Sequence, residues 1–412
     1  MGKLAITGGK PVRPTPQEPL IPGKWPQHDE REVEALARVA NSGRWQQGPE
    51  VAEFEKMFAE YMQAKHGICA NNGTVTMEIA LRAFGVGVGD EVIIPPLTFI
   101  ATGLCVLMVG AIPVFADIDP ETFCMDPADV AARITPRTRA IIVVHLFGHP
   151  ADMTGIMKIA RQHKLIVIED ACQAHLAEHK RRLVGTIGHI GCFSFQQSKH
   201  MSTGDGGMTV TNRAGLARRL RLARDKGWPR EGSVRQHLFL APNYRMTELQ
   251  AAVGLAQLAK LDRMVDARER MARKLTAKLA GLPGIGPPVV RPGTRHVYWQ
   301  YVVALDLSQF TVGLDEFVAE LRRLGLPCNA GYTRVPIYAY PVLRRKHTYG
   351  SSRCPFTCPL HGRDIDYKVG LCPEAEAALK RMVVIGWNEH IRTVHVNFIA
   401  EAFRRTAAKF HR

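Results

Sequence analysis

The sequence predicts an α/β protein: a large, mostly parallel sheet with helices on both faces, followed by a smaller C-terminal α+β domain. Two observations carry that expectation. Between His66 and Ile168, apolar runs of four to six residues alternate with stretches of helical periodicity. Strand and helix alternating at this spacing indicate a mostly parallel sheet covered on both faces. A glycine- and proline-rich break over 281–288 then separates this alternation from a tail of mixed pattern.

Taken in order, residues 1–28 contain many Pro and Gly and read as an extended arm ending at Lys24, Trp25 and Pro26. Asp29 caps a helix over Glu30–Ala40, which Ser42 and Gly43 stop. A second amphipathic helix covers about 50–61. Strand–helix pairs follow: His66–Ala70 with 75–84, Glu91–Pro95 with 99–109, Ile112–Ala116 with 127–134, and Ala140–His145 with 152–163. Leu165–Ile168 is the next strand, and Gly191–Phe195 and Met208–Thr211 are two more. Arg213–Lys226 reads as a basic helix, 227–243 as a loop, and Met246–Leu282 as one long helical region. The domains are thus an arm at 1–28, a large domain at 29–282 and a small one at 283–412. In the last of these, Trp299–Leu305 is a strand, and Leu314–Leu324, Pro373–Lys380 and Val394–Phe410 are helices. Residues 355–367 read as loop. A chain of 412 residues suits this division.

Composition narrows the function. Apolar content of 46% and charged content of 22% are those of a globular protein. No apolar run reaches membrane-spanning length, and the first residues lack the apolar core of a secretory signal, so a cytoplasmic protein is expected, with no membrane partner. The nine cysteines are scattered, and the one close pair, Cys354 and Cys358, has no second pair at ligand spacing. Reduced thiols and no metal site follow. The net charge of +16 is spread over short runs such as Lys180–Arg182 and Arg344–Lys346, without a basic tail or nucleic-acid motif. It reads as a solvated surface with no nucleic-acid partner. It is also compatible with an anionic substrate or cofactor phosphate.

In open parallel sheets, ligands sit beyond the carboxyl ends of strands. Lys199 follows one such strand after a polar turn and precedes a loop with Gly204, Gly206 and Gly207. A positioned lysine serves chemistry mainly as a Schiff base with a carbonyl, including the aldehyde of pyridoxal phosphate (PLP); the alternative is a surface lysine. Gly73 and Thr74, at a strand-to-helix turn, offer backbone amides to a phosphate. Asp170 follows a strand and either holds a pyridine nitrogen protonated or caps a helix. Gln173 is placed to meet a ring hydroxyl. Ser194, five residues before Lys199, offers a hydroxyl to the phosphate. Phe99 either stacks on a ring or joins the core.

As an ordered set these motifs resemble the DegT/DnrJ/EryC1/StrS sugar aminotransferases, which are fold-type I PLP enzymes. The matching stretches are Asn72–Thr74, Pro96–Thr102, Val114–Asp119, Ile168–His175, Gly185–Gly188, Cys192–Phe195, Lys199 with Thr203–Gly207, and Asn243–Gln250. The resemblance is strong over about 30–265 and weak in the tail.

It implies that Lys199 forms the Schiff base with PLP and moves the proton, and that Asp170 pairs with the pyridinium; these are the two catalytic residues. Gln173 would sit by the ring oxygen, Ser194 with the Gly73 and Thr74 amides would hold the phosphate, and Phe99 would cover the ring. Asn243 would reach the phosphate from a partner subunit, so a homodimer with its active site at the interface is implied. The implied reaction moves an amino group from glutamate or glutamine to the ketone of a keto-cyclitol or keto-sugar, in amino-sugar or aminoglycoside-type antibiotic biosynthesis.

Related enzymes that dehydrate sugars carry His in place of the lysine, so Lys199 favours transamination. Gly8–Arg13, Lys24–Pro26 and Ser42–Trp45 look more like the cyclitol and aminohydroxybenzoate branch. Val383–His390 also departs from the nucleotide-sugar pattern. Other readings are a nucleotide-diphosphate keto-sugar aminotransferase, a dehydratase or aromatising synthase on the same cofactor, and a non-catalytic regulator. A regulator would be expected to carry a DNA-binding helical module, and none is visible. Tyr332, Arg334 and His296 are candidate substrate contacts, each with packing or surface exposure as its alternative.

Overall fold

A computed structural model describes residues 25–231 and 234–412. The arm expected over 1–28 lies almost wholly outside the described residues. Helix α1 (Glu30–Ser42) starts at Asp29, whose carboxylate accepts from Arg31 N while Glu32 reaches back to the Asp29 amide. Helix α2 (Pro49–Tyr61) follows. Then β1 (His66–Ala70), α3 (Gly73–Ala83), β2 (Glu91–Ile94), α4 (Ala101–Met108), β3 (Ile112–Phe115), α5 (Pro127–Ala132), β4 (Thr138–Val144), α6 (Met153–His163) and β5 (Ile166–Asp170) keep the predicted alternation. The short strands β6 (Glu178–His179) and β7 (Arg182–Leu183) form a hairpin that the sequence reading omitted. β8 (Ile190–Ser194), β9 (Gly207–Thr211) and α7 (Ala214–Arg224) complete this part.

Seven strands make one sheet in the order β1-β9-β8-β5-β4-β2-β3. β9 alone runs against its neighbours; the other pairings are parallel. The inner strands are buried on both faces, which is why they read as continuous Ile/Val runs and not as alternating ones. Around β8, Phe54, Phe58, Phe193 and Phe195 pack against one another with centroids 5.2–6.0 Å apart, edge to face except for the tilted Phe54–Phe195 pair. Each is fully buried, which contributes about 2–3 kcal/mol per ring.

The single helix expected over 246–282 is instead two, α8 (Glu248–Leu258) and α9 (Leu261–Leu279). The break falls at Lys260, whose backbone leaves the helix at φ −111°. Its ammonium is buried against Glu32 of α1 at 2.7 Å, and Gln257 bonds the same carboxylate. A tertiary ion pair therefore ends the helix, with no Gly or Pro to mark it.

The tail contributes β10 (Ile285–Gly286), β11 (Thr294–Arg295), β12 (Gln300–Leu305), α10 (Leu314–Arg323), β13 (Cys328–Ala330), α11 (Pro341–Arg344), α12 (Pro373–Leu379), β14 (Met382–Gly386) and α13 (Thr393–Phe410). Four of these strands form an antiparallel sheet, β10-β12-β14-β13, with its own core around Phe310, Phe317 and Phe403. The sequence reading missed β13 and β14, although the β-branched run Val383–Ile385 signals the latter. β11 pairs with β6 of the large part. Ile337, Tyr338, Leu343, Phe356 and Tyr367 pack with the large sheet's core and not with the small one. Among the described residues no helix is long and apolar enough to cross a membrane.

Candidate active site

The carboxyl ends of β1, β5 and β8 open into one cavity of ≈ 870 Å³. At the end of β1, Asn72 caps α3 by accepting from Val75 N at 3.1 Å. Gly73 and Thr74 therefore begin a helix whose first amides have no intrahelical acceptor. A Cβ on Gly73 would stand 2.6 Å from Ser194 Cβ and 2.9 Å from its Oγ. Only glycine allows the helix start to meet the end of β8 so closely. The result is a cradle of amides and hydroxyls lit by the positive end of a helix, which suits a phosphate.

β5 runs two residues beyond its expected end, so Asp170 is its last residue and is buried. Thr102 Oγ1 donates to Asp170 Oδ2 at 3.1 Å, and Cys172 N donates to Oδ1 at 3.2 Å. Strand alternation turns the preceding residue, Glu169, to the opposite face. It accepts from the amides of Gly185 and Ile187, each at 2.7 Å, and lies 3.0 Å from His145 Nε2. Burial pushes the Glu169 carboxyl up, but His145 and these amides outweigh it and hold its pKa below the ordinary value. Glu169 thereby fixes the strand end that carries Asp170.

Lys199 lines the cavity. Burial lowers its pKa from the usual lysine value, against the raising pull of Cys172 and Asp170. Its Nζ lies 4.0 Å from the centroid of the Trp299 ring. Gln173 is held on both sides: its Oε1 accepts from Phe147 N at 2.8 Å, and its Nε2 donates to Tyr332 Oη at 3.2 Å. Phe147 has φ +56°, a left-handed conformation costing a non-glycine residue about 1–2 kcal/mol. Near the lysine, His175 is wholly buried with no hydrogen-bond partner at either ring nitrogen among the described residues. Burial first, then Lys199 and Arg268, push its pKa down to about 3, so it is neutral.

Of the residues expected from sequence, Gly73, Thr74, Phe99, Asp170, Gln173, Ser194 and Lys199 all line this cavity. Asn243 does not; it is exposed, and its Oδ1 accepts from Arg245. Tyr332 lines the cavity, whereas His296 and Arg334 do not. His296 is buried on the other side of its segment, stacked on Tyr298 at 3.8 Å and 5.4 Å from His149. Arg334 is exposed and pairs with Asp315 at 2.6 Å. Trp299 was read only as the start of a strand. Its signal was the aromatic cluster with Tyr298 just past the domain break.

The chain matches the model of the DegT/DnrJ/EryC1/StrS aminotransferase family over residues 26–370. It belongs to that family. GDP-perosamine synthase of Caulobacter vibrioides is 44% identical over 336 residues, which is 81% of this chain and 88% of that protein. The L-glutamine:2-deoxy-scyllo-inosose aminotransferase of Streptomyces kanamyceticus is 38% identical over 409 residues, covering 92% and 91%. The crystal structure of S. venezuelae DesV superposes with a TM-score of 0.81 at 34% identity, covering 92% of this chain and 94% of that one. The protein is thus an aminotransferase of a PLP-dependent family with the fold-type I architecture, serving amino-sugar or aminocyclitol chemistry.

Proposed function

We propose that this DegT/DnrJ/EryC1/StrS aminotransferase binds PLP in the ≈ 870 Å³ cavity and aminates a free keto-cyclitol, with glutamine or glutamate as donor. The residues present fit the cofactor. The Gly73–Thr74 amides and Ser194 Oγ line one end of the cavity, and a Cβ at residue 73 would collide with Ser194 there. Asp170 offers a fixed carboxylate for the pyridine nitrogen, Gln173 an amide for the ring oxygen, Phe99 an aromatic face, and Lys199 an amine without a hydrogen-bond partner among the described residues. Bound there, PLP supplies an aldehyde to carry the amine and an electron-withdrawing ring. Lys199 Nζ takes the proton from the donor's α-carbon and returns one to the acceptor carbon that gains nitrogen. Asp170, whose carboxylate Thr102 fixes, would pair with the ring nitrogen and hold it protonated. The net change is amino acid plus ketone to keto acid plus amine.

One observation carries the choice of acceptor. Lys199 is the single cationic side chain among the described residues lining the cavity, where Asp170 and Asp205 are the charged companions and Trp299, Tyr332 and Tyr340 the aromatic wall. A neutral polyol ring finds hydroxyl and aromatic partners there in Tyr332, Tyr340, Thr333 and Trp299. The near full-length match to a 2-deoxy-scyllo-inosose aminotransferase supports the same reading. A nucleotide-diphosphate keto-sugar is the second reading, favoured by the 44% identity to GDP-perosamine synthase. Keto-cyclitols and nucleotide keto-sugars offered with glutamine or glutamate, and read by mass, decide between them. Amination of the nucleotide sugars alone would overturn the proposal.

The division into a large domain at 29–282 and a small one at 283–412 belongs to the same proposal, as does a homodimer in which Asn243 serves the partner's phosphate site. Leu238, Phe239 and Leu240 beside Asn243 are exposed, Leu240 at 89%, which supports a covered face at this loop.

A further inference from the structure

Lys199 Nζ makes no hydrogen bond and no ion pair among the described residues; the contact it does make is with the face of Trp299, 4.0 Å from the ring centroid. The indole is itself fastened to the lysine's own loop, because Trp299 Nε1 donates to Ser198 O at 2.6 Å. Its backbone is fastened to the large sheet, with Trp299 N donating to Phe147 O at 2.8 Å and Val297 N to Gly148 O at 3.0 Å. Three neighbouring left-handed residues produce this approach: Phe147 at φ +56°, Gly148 at +96° and Tyr298 at +49°. A Cβ on Gly148 would stand 2.8 Å from Tyr298 N, so the two segments meet only because residue 148 is glycine. Backbone held in sparsely populated conformations on both sides of one contact marks a position that the rest of the fold enforces.

We infer that Trp299 is a positioning residue for Lys199: its indole face receives the amine whenever the lysine is not joined to the cofactor, and holds it partly as the ammonium. This rests on the reading of Lys199 as the cofactor lysine and extends it to the state in which that amine is free. The face of an indole attracts a cation through its quadrupole, most strongly where water is excluded. Trp299 is 7% exposed. Burial favours the neutral amine and the ring favours the charged one, so the indole keeps the amine able both to accept a proton and to give one back. The tryptophan comes from beyond the 281–288 break in sequence, yet it packs with the large sheet's core, and that packing sets the lysine's resting place.

The test is the titration of Lys199 in the full-length, cofactor-free protein, read as the pH dependence of acetylation of the Lys199 peptide by mass spectrometry. Trp299→Phe should lower the apparent pKa of Lys199, and Trp299→Leu should lower it further, by about half to one and a half pH units in all. A purely structural role would not produce that order. Uniform replacement of the chain's five tryptophans by fluorotryptophan weakens the ring quadrupole while keeping its shape and its N–H, and should lower the pKa in the same direction. That arm stands even if the leucine variant fails to fold. Equal titration of Lys199 in the wild-type, phenylalanine and fluorotryptophan proteins overturns the inference. Mapping which lysine the cofactor occupies in the loaded enzyme is an independent measurement: a different lysine there would remove the reading of Lys199, whatever its titration shows.

Discussion

Gln173 Nε2 donates to Tyr332 Oη across 3.2 Å, joining a residue just past β5 to one beside the small sheet. Burial raises the Tyr332 pKa, so its hydroxyl keeps its proton throughout the neutral range and can donate onward into the cavity. Tyr332→Phe leaves the Gln173 amide one partner short. A buried amide in that state costs about 1–2 kcal/mol of folding free energy, so the melting temperature should fall by a few degrees, and Gln173, held on one side only, should lower kcat/KM as well. Steady-state kinetics with any accepted ketone check this; an unchanged kcat/KM would show the contact to be idle.

Gly73→Ala tests the phosphate cradle. The added methyl meets Ser194 Cβ at 2.6 Å and Cys172 Sγ at 3.2 Å, so the start of α3 must retreat from β8. Overpacking of this kind costs about 1–3 kcal/mol. PLP affinity, followed by absorbance titration of the cofactor-free protein, should weaken by at least about tenfold. Wild-type affinity would place the phosphate elsewhere.

Glu169→Gln should destabilise the fold by about 3 kcal/mol, because a buried carboxylate facing three amides and His145 is replaced by a group that is half donor. The pH dependence has a definite sign. The folded pKa lies below the ordinary value, so this contribution is present above about pH 4.5 and is lost as the pH falls through the folded value. Urea midpoints at neutral and acid pH compare the two proteins, and they should converge in acid.

His175 makes the acid side steeper. Its folded pKa of about 3 lies below the unfolded 6.5, so between those values the unfolded chain binds the extra proton. Stability is therefore full above about pH 6.5 and falls toward pH 3 at about 1.4 kcal/mol per unit. His175→Leu, set among Phe193 and Phe195, should shrink the loss between pH 6.5 and 4.5 by about 2–3 kcal/mol. An identical acid slope in the variant would contradict a neutral His175.

The large sheet was readable because each inner strand is apolar on both faces and each crossover helix has a clear period. Asp170 and Ser194 were readable because each occupies the end of such a strand, and Lys199 because it follows Ser194 by one short turn. The helix break at Lys260 was not, since it depends on Glu32, more than two hundred residues earlier in the chain. Trp299 escaped for a similar reason: its place over Lys199 is set by backbone bonds to Phe147, which local sequence does not reveal. Nor does local pattern say which way a polar side chain in the tail will face, so Tyr332 reached the cavity while His296 and Arg334 did not.

The most direct measurement of the whole account is the identity of the lysine that carries the cofactor. Purified protein loaded with PLP is reduced with borohydride, digested and mapped by mass. The predicted result is a pyridoxyl group on the peptide containing Lys199 and its absence in Lys199→Ala, which should also lose transamination. A pyridoxyl group on another lysine, or full turnover by the alanine variant, would contradict it.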